Sequence, residues 1–496
     1  MSRKLAMNDM LVLLPGITGS ILKKNGNTIW GPVPQSIVGY IESLFGPSGG
    51  WSFDDLRVVD DDPMVDDLGD GIQATGLVPY TLIPGLDCFD GYTGLTEQVY
   101  DTFNLTRGDA TREDGPAANY FEFPYDWRRD NRASAHRLKR LVDRELPKWR
   151  KLRNYPDAKI ILIGHSMGGL VARYYVECLG GFENTRAIIT LGTPHRGSLQ
   201  AIDYLVNGYR RLGSRLSTFT DLMRSFRSVY QLLPIYECVS EKDQTGNPVW
   251  RRVVDTSLPN INEQWAKDAL EFHREIERCH GKNKDLDEYD VKILPVIGWG
   301  HTTLQSARHF SGSVELGTDL PPAVEKERRL PEHGQGVLTD GDGTVPRVSA
   351  IPIELYDKET QWWLWNQKHA TVQNNSTLLG NAAQILSAWE GQIGRPARDV
   401  GAPLEKNRID LEVDDVYLAT EPVSIRVAAT TSPEPTSVVA EIESRAQGAT
   451  ETKVLRRRLQ GDAWACEERL PAGAYRVTVR LEGVSVAPVS DVFEVA

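Results

Sequence analysis

Cysteine is scarce. The 496-residue chain has five, Cys88, Cys178, Cys238, Cys279 and Cys466, far apart and with no Cys-x-x-Cys pair. That excludes a disulfide framework and a cysteine-based zinc site, and it fits a reducing, cytoplasmic compartment. No stretch approaches the ~18 consecutive apolar residues of a membrane span. The apolar run Leu11 to Leu14 is too short for a signal-peptide core and passes directly into Pro15-Gly16. There is no long basic run either, and the net charge is −12. An acidic surface argues against nucleic acid, or an anionic membrane, as an electrostatic partner. It leaves lipid substrates open, because they can be engaged through apolar surface. No His/Cys/carboxylate cluster has catalytic zinc spacing, so neither metal nor cofactor is expected. The Asp-rich run from Asp54 to Asp70 lacks ordered calcium-ligand spacing and reads as a solvated acidic loop.

What is present is a chain 40% hydrophobic, long enough for a large core and for more than one domain. Met10 to Leu14 reads as a short strand. Arg132 to Leu152 carries Leu138, Leu141, Val142 and Leu146 at helical spacing. Ile160 to Ile163 is a β-branched run followed by a glycine turn and a helical stretch to Cys178; Ala187 to Leu191 and Val291 to Ile297 are further buried-type strands. This alternation predicts a mostly parallel sheet covered by helices. From Trp30 to about Asp87 the pattern is irregular and rich in Gly, Pro and Asp, and the stretch from about 198 to 290 reads as a helical cap insertion. Gly394 to Pro403 reads as a linker. Beyond it, alternating strands such as Val423 to Ala429, Val438 to Ile442 and Ala474 to Leu481 predict an immunoglobulin- or fibronectin-like β-sandwich. The expected domains are therefore 1–395 and 405–496.

The strongest chemical signal is Gly164-His165-Ser166-Met167-Gly168-Gly169. Gly-x-Ser-x-Gly between an apolar strand and a helix is the nucleophile elbow of the α/β-hydrolase fold. The turn lifts the Ser166 hydroxyl clear of the sheet, and the helix N-terminus beneath it favours developing negative charge. A serine hydroxyl is a weak nucleophile and needs a histidine base held by a carboxylate. In this fold the chain order is Ser, acid, His. That order prunes the nine histidines. His136 precedes the serine, and His165 sits in the elbow with its side chain expected to point away from the serine Oγ. His195 follows too soon, and His273 and His280 lie in the cap. His301, His309 and His333 precede the best acid, which leaves His369. The acid comes from the turn Thr339-Asp340-Gly341-Asp342-Gly343, with Asp342 preferred and Asp340 the alternative. Two backbone amides should form the oxyanion hole, that of Met167 and one from the Leu14-Pro15-Gly16-Ile17 loop, for which Ile17 is the candidate.

Taken in order, several segments resemble the lecithin:cholesterol acyltransferase family, which includes lysosomal phospholipases. They are Leu13-Leu14-Pro15-Gly16-x-x-Gly19-Ser20, Pro124-Tyr125-Asp126-Trp127-Arg128, the Ser166 elbow, Leu191-Gly192-Thr193-Pro194-x-x-Gly197-Ser198, Leu232-Leu233-Pro234 and Asp340-Gly341-Asp342-Gly343-Thr344-Val345. The resemblance spans roughly residues 8 to 395. It implies Ser166, Asp342 and His369 as the triad, Ile17 and Met167 as oxyanion donors, a lid in the Trp30 to Asp87 region, and acyl-ester substrates. Tyr125 to Arg128 reads as a structural feature beneath the site. The family's secreted members carry a lid disulfide, whereas Cys88 has no cysteine near it in sequence.

The leading expectation is a serine hydrolase cleaving acyl esters of lipids through an acyl-enzyme. An O-acyltransferase with an alcohol acceptor, or a soluble carboxylesterase, would use the same first half-reaction. The apolar stretches Ile37 to Phe45 and Leu77 to Phe89 favour lipid, with the lid as the surface that would touch a membrane transiently. A non-enzymatic alternative is a partner-binding protein that works through its C-terminal sandwich, and an intact triad argues against it. The sandwich itself is expected to recruit a protein partner and to leave the active site complete without it.

Overall fold

The computed structural model describes residues 4–31, 53–79, 81–83, 87–89, 91–208, 217–322, 324, 340–356, 362–374, 407–444, 450–457 and 463–495. Its centre is a six-stranded sheet in the spatial order Trp363–Trp365, Lys292–Gly298, Thr185–Leu191, Ile160–His165, Met10–Leu14, Tyr120–Glu122. Every pairing within it is parallel. Parallel strands need crossovers, and helices supply two of them: Asn131–Arg153 leads into the Ile160 strand and Met167–Cys178 leads out of it. This is the α/β-hydrolase architecture.

Both faces of the sheet are covered, which explains why its strands read as unbroken apolar runs rather than alternating ones. Met10, Val12 and Leu14 enter one core cluster together with Ile160 and Leu162. Leu11, Leu13, Ile161 and Ile163 enter a second cluster on the opposite face. The long helix Asn131–Arg153 buries Leu138, Leu141, Val142 and Leu146. Asp130 caps its N-terminus by accepting from the Arg132 N–H, and Asn154 ends it in the left-handed conformation at φ 49°.

The cap differs from the helical insertion expected. Helices Leu199–Val206, Ser217–Met223, Arg227–Tyr230 and Glu263–Asn283 are joined by a hairpin, Val239–Lys242 with Pro248–Arg251. The hairpin strands are short and half-exposed, so they carry no apolar run. Their signal is the turn, where the Asp243 carboxylate accepts from the Thr245 and Asn247 amides. Much of the expected lid, including Ile37 to Phe45, lies outside the described residues, as do parts of Leu77 to Phe89. The C-terminal residues form an all-β unit of eight strands. Its own core cluster includes Ile409, Leu411, Ile425, Val427, Val438, Val477, Val479 and Phe493. The linker at 394–403 lies outside the described residues.

The Asp54 to Asp70 run is not simply solvated. Arg128, fully buried, donates to Asp126, to the Asp70 carboxylate at 2.9 Å and to the Leu56 carbonyl at 3.1 Å. Arg129 pairs with Asp61 at 3.0 Å and donates to the carbonyls of Asp62, Val65 and Asp66 at 2.8 Å each. Two guanidinium groups thus organise the loop, and its carboxylates serve as their counter-charges. Removing one partner of a buried ion pair leaves the other uncompensated, at a cost of about 3–5 kcal/mol. Arg128→Met should therefore lower unfolding stability by about that much in a guanidinium titration. A loss within the scatter of surface substitutions would show that the pairing is not structural.

Candidate active site

The sequence turns sharply after the Ile160–His165 strand. Ser166 adopts φ 51°, ψ −125°, a conformation costly for a residue with a Cβ, and the helix Met167–Cys178 starts at once behind it. The close approach leaves no room at Gly168, where an added Cβ would lie 2.4 Å from the Pro15 carbonyl. Leu191 at the end of the next strand accepts from the Ser166 N–H at 2.8 Å. The hydroxyl is therefore held at the carboxyl edge of the sheet, between the strands that lead into it and out of it.

Two distant segments meet the serine there. His369 Nε2 lies 3.0 Å from Ser166 Oγ, and His369 Nδ1 lies 2.7 Å from Asp342 Oδ2. All three groups are buried, with relative exposures of 7% for Ser166, 1% for Asp342 and 4% for His369. Asp342 Oδ1 accepts from the Val345 and Thr344 amides at 2.6 and 3.0 Å, which fixes the carboxylate plane. The His369 backbone N–H donates to the Asp342 carbonyl at 2.9 Å. Asp340 is engaged differently: its carboxylate accepts from the Arg347 guanidinium and from the Gly300 amide. The two acids of one turn are thus separated by what faces them, and only Asp342 faces the imidazole.

Met167 and the Ile17 loop lie against the same serine. A Cβ on Gly16 would come within 3.0 Å of Ser166 Cβ. The loop is braced from beneath by the aromatic segment noted in the sequence. Tyr125 Oη donates to the Pro15 carbonyl at 2.7 Å, its amide donates to Ser20 Oγ at 3.0 Å, and Trp127 Nε1 donates to the Ser20 carbonyl at 3.1 Å.

Two functional residues escaped the sequence reading, Tyr92 and His165. His165 is far from idle. The Gly16 N–H donates to Tyr92 Oη at 2.6 Å, and Tyr92 Oη lies 2.9 Å from His165 Nδ1. His165 Nε2 lies 3.3 Å from the His369 carbonyl. One proton arrangement satisfies the whole chain: Tyr92 donates to Nδ1, and His165 donates from Nε2 to the His369 carbonyl. Burial pushes the Tyr92 phenol far above its usual range, so it keeps its proton. Burial, with the charge on His369 adding to it, pushes the His165 imidazole down to about 3. The elbow histidine is therefore a neutral strut between the Gly16 loop and the His369 loop. The x of Gly-x-Ser-x-Gly carries no such information, and Tyr92 is remote in sequence from both its partners.

Among the described residues, no group of three or more His, Cys, Asp or Glu is placed to hold a metal ion, and no helix is long and apolar enough to cross a membrane.

The fold is that of the α/β-hydrolase class, and Ser166, His369 and Asp342 form one hydrogen-bonded line at the carboxyl edge of its sheet. Residues 113–337 match the family model described as lecithin:cholesterol acyltransferase. The match includes the Ser166 elbow but ends before Asp342 and His369. No curated protein matches. Among solved structures, the chain is similar to the mature form of Bacillus licheniformis lipase BlEst2, at 13% identity over 78% of this chain and 95% of that one, with a TM-score of 0.33. The propeptide form of the same lipase aligns at 11% identity over 99% of this chain and 94% of that one, with a TM-score of 0.33.

The buried histidines predict an acid-sensitive fold. Besides His165, burial pushes His195 down to about 3 and His273 down to about 4. Each is neutral when folded but binds a proton near pH ~6.5 once unfolded. Their contribution is therefore complete above ~6.5 and declines as pH falls toward their folded values, by at most ~1.4 kcal/mol per pH unit for each group. Stability measured by chemical denaturation should drop markedly between neutral pH and pH 5. His273→Gln should flatten that slope, and an unchanged slope would show that His273 is not held neutral.

Proposed function

We propose that the protein is a serine hydrolase that cleaves the acyl-ester bonds of lipids, in the manner of a lipase or phospholipase, through an acyl-enzyme on Ser166. The observation that carries this reading is the continuous hydrogen-bonded line from Asp342 through His369 to Ser166, with separations of 2.7 and 3.0 Å. The family match over residues 113–337 supports lipid-ester hydrolysis or acyl transfer as the chemistry.

In this reading His369 accepts the Ser166 proton as the oxygen attacks the acyl carbonyl. Asp342 holds the Nδ1–H tautomer and stabilises the imidazolium. The tetrahedral oxyanion is bound by the Met167 and Ile17 amides at the N-terminus of the Met167–Cys178 helix, where the backbone dipoles favour negative charge. Collapse expels the alcohol, which takes its proton from His369. Water then attacks the acyl-enzyme with His369 again as base, or an alcohol does so if the enzyme is an O-acyltransferase. The two outcomes share every residue named, and they differ in how well water is excluded during the second step. No step calls for a metal or cofactor.

The proposed organisation is a catalytic domain, 1–395, with a lid at about 30–87 that would touch lipid surfaces, followed by a β-sandwich domain, 405–496. A cytoplasmic setting is part of the same proposal, supported by the few, scattered cysteines.

Ser166→Ala should remove turnover of a short p-nitrophenyl acyl ester by a factor on the order of 10⁶, and with it labelling by a fluorophosphonate. His369→Ala should be nearly as damaging. Asp342→Asn should cost far more rate than Asp340→Asn, whose main effect should be on stability through Arg347. Retention of a tenth of wild-type activity by Ser166→Ala would refute the nucleophile assignment.

A further inference from the structure

The C-terminal β unit was expected to leave the active site alone, because it follows the last triad residue across a linker. In space the two meet at the loop that carries His369. The Asn366 side-chain amide donates to the Ile409 carbonyl at 3.0 Å and to the Trp299 carbonyl at 2.9 Å, and it accepts from the Ile409 N–H at 2.9 Å. Gln367 Nε2 donates to the Pro488 carbonyl at 2.5 Å. Thr371 Oγ1 donates to the Ser490 carbonyl at 2.8 Å. Lys368 Nζ lies 3.5 Å from the Asp491 carboxylate, in a pair whose side chains are only 16% and 10% exposed. Val492 enters the same apolar cluster as Ala370 and Val372. The side chains of Asn366, Gln367, Lys368 and Thr371, on both sides of His369, therefore each reach a residue of the C-terminal unit.

We infer that the C-terminal β unit is a positioning wall for the catalytic base: it fixes the loop 366–371 so that His369 stays within reach of both Ser166 and Asp342. This inference rests on the reading of His369 as base. The physical case is one of tolerance. A base must lie within a few tenths of an ångström of its hydrogen-bonding distance, and a misplacement of about 1 Å can cost 10²-fold in rate. On the catalytic side the His369 N–H donates to the Asp342 carbonyl, and its own carbonyl lies 3.3 Å from His165 Nε2. The flanking side chains look the other way, toward strands of the C-terminal unit. Anchoring residues on both sides of His369 to one β unit holds the backbone between them without occupying the space that substrate needs.

The inference names Thr371 and Asp491 as positioning residues that touch neither substrate nor the reacting atoms. Thr371 Oγ1 also lies 3.5 Å from the Lys368 carbonyl, so its principal bond is the shorter one to Ser490. In the full-length protein, Thr371→Val keeps the shape and removes the donor, whereas Thr371→Ser keeps the donor. Thr371→Val should lower kcat on a soluble p-nitrophenyl ester about tenfold while leaving KM within twofold, and Thr371→Ser should recover most of the loss. Asp491→Asn, which unpairs Lys368 without changing volume, should lower kcat in the same sense and serves as the test if Thr371→Val does not fold. A Thr371→Val protein with native near-ultraviolet circular dichroism and wild-type kcat would overturn the inference, as would an Asp491→Asn protein that is folded and fully active. Ser166→Ala, assayed alongside, separates the two ideas. If it stays active, the nucleophile reading fails; if it is dead while the folded Thr371→Val protein is unimpaired, only the positioning role fails.

Discussion

The constraint on which the rest depends is geometric. Three groups, two of them 203 residues apart in sequence, must meet within hydrogen-bonding distance at one edge of one sheet. A parallel sheet solves this because all its strands end on the same side, so the loops after them share a single rim. The strand order matters as well. Met10–Leu14 and Ile160–His165 are neighbours, with the Tyr120 strand outside the first and the Thr185 strand outside the second. The chain winds away in both directions from the gap between them. The Gly16 loop and Ser166 open on that gap, and Asp342 and His369 arrive from the strands further along. Position on the rim, rather than proximity in sequence, makes the site.

Local strain and local rigidity go together at this rim. Ser166 is held at positive φ by its amide bond to Leu191 and by the helix that follows. Such a conformation costs on the order of 1–3 kcal/mol and persists only where surrounding contacts over-determine it. Those contacts include the packing of Gly16 against Ser166 and the Tyr92–His165 strut between the two loops. The strut works because its imidazole stays neutral: a charged His165 would place a second positive group beside His369 just when His369 takes the serine proton. Burial removes that competition without any specific partner for the charge.

Much of this was legible in the sequence, for identifiable reasons. Met10 to Leu14 was read to its observed ends, and the strands Ile160–His165, Thr185–Leu191 and Lys292–Gly298 to within a few residues, because a two-faced parallel strand is an apolar run bounded by turns; the two edge strands, Tyr120–Glu122 and Trp363–Trp365, were missed because three residues make no such run. Ser166 was legible because its chemistry demands small residues at fixed spacing. Asp342 and His369 followed from chain order, and Asp342 stood above Asp340 although both sit in one turn; their different partners, His369 and Arg347, appear only in three dimensions. The cap hairpin was missed because its strands are short and half-exposed. The acidic run was read as solvated because an ion pair with Arg128 or Arg129 leaves no local signature across some sixty residues of chain. Tyr92 and the docking of the C-terminal unit were invisible for the same reason: each is a contact between segments that local pattern treats as independent.

The extent of the family match sharpens what is particular to this chain. The matched stretch, 113–337, supplies four of the six strands of the central sheet, the elbow and the cap. It contains the nucleophile but neither the Ile17 loop nor Asp342 nor His369. The loop before it is held by Tyr125 and Trp127 from inside the match, so the donor side of the site leans inward on the family core. The base after it leans outward, through Asn366, Gln367, Lys368 and Thr371, on strands beyond residue 405. A site assembled this way has two supports of different origin, joined by the His165 strut and by the Asp342–His369 bond. Acyl transfer needs both at once, because a correctly placed oxyanion hole does nothing for a serine whose base has drifted. The β unit therefore belongs to the working part of the molecule on geometric grounds, whatever else its outer surface binds.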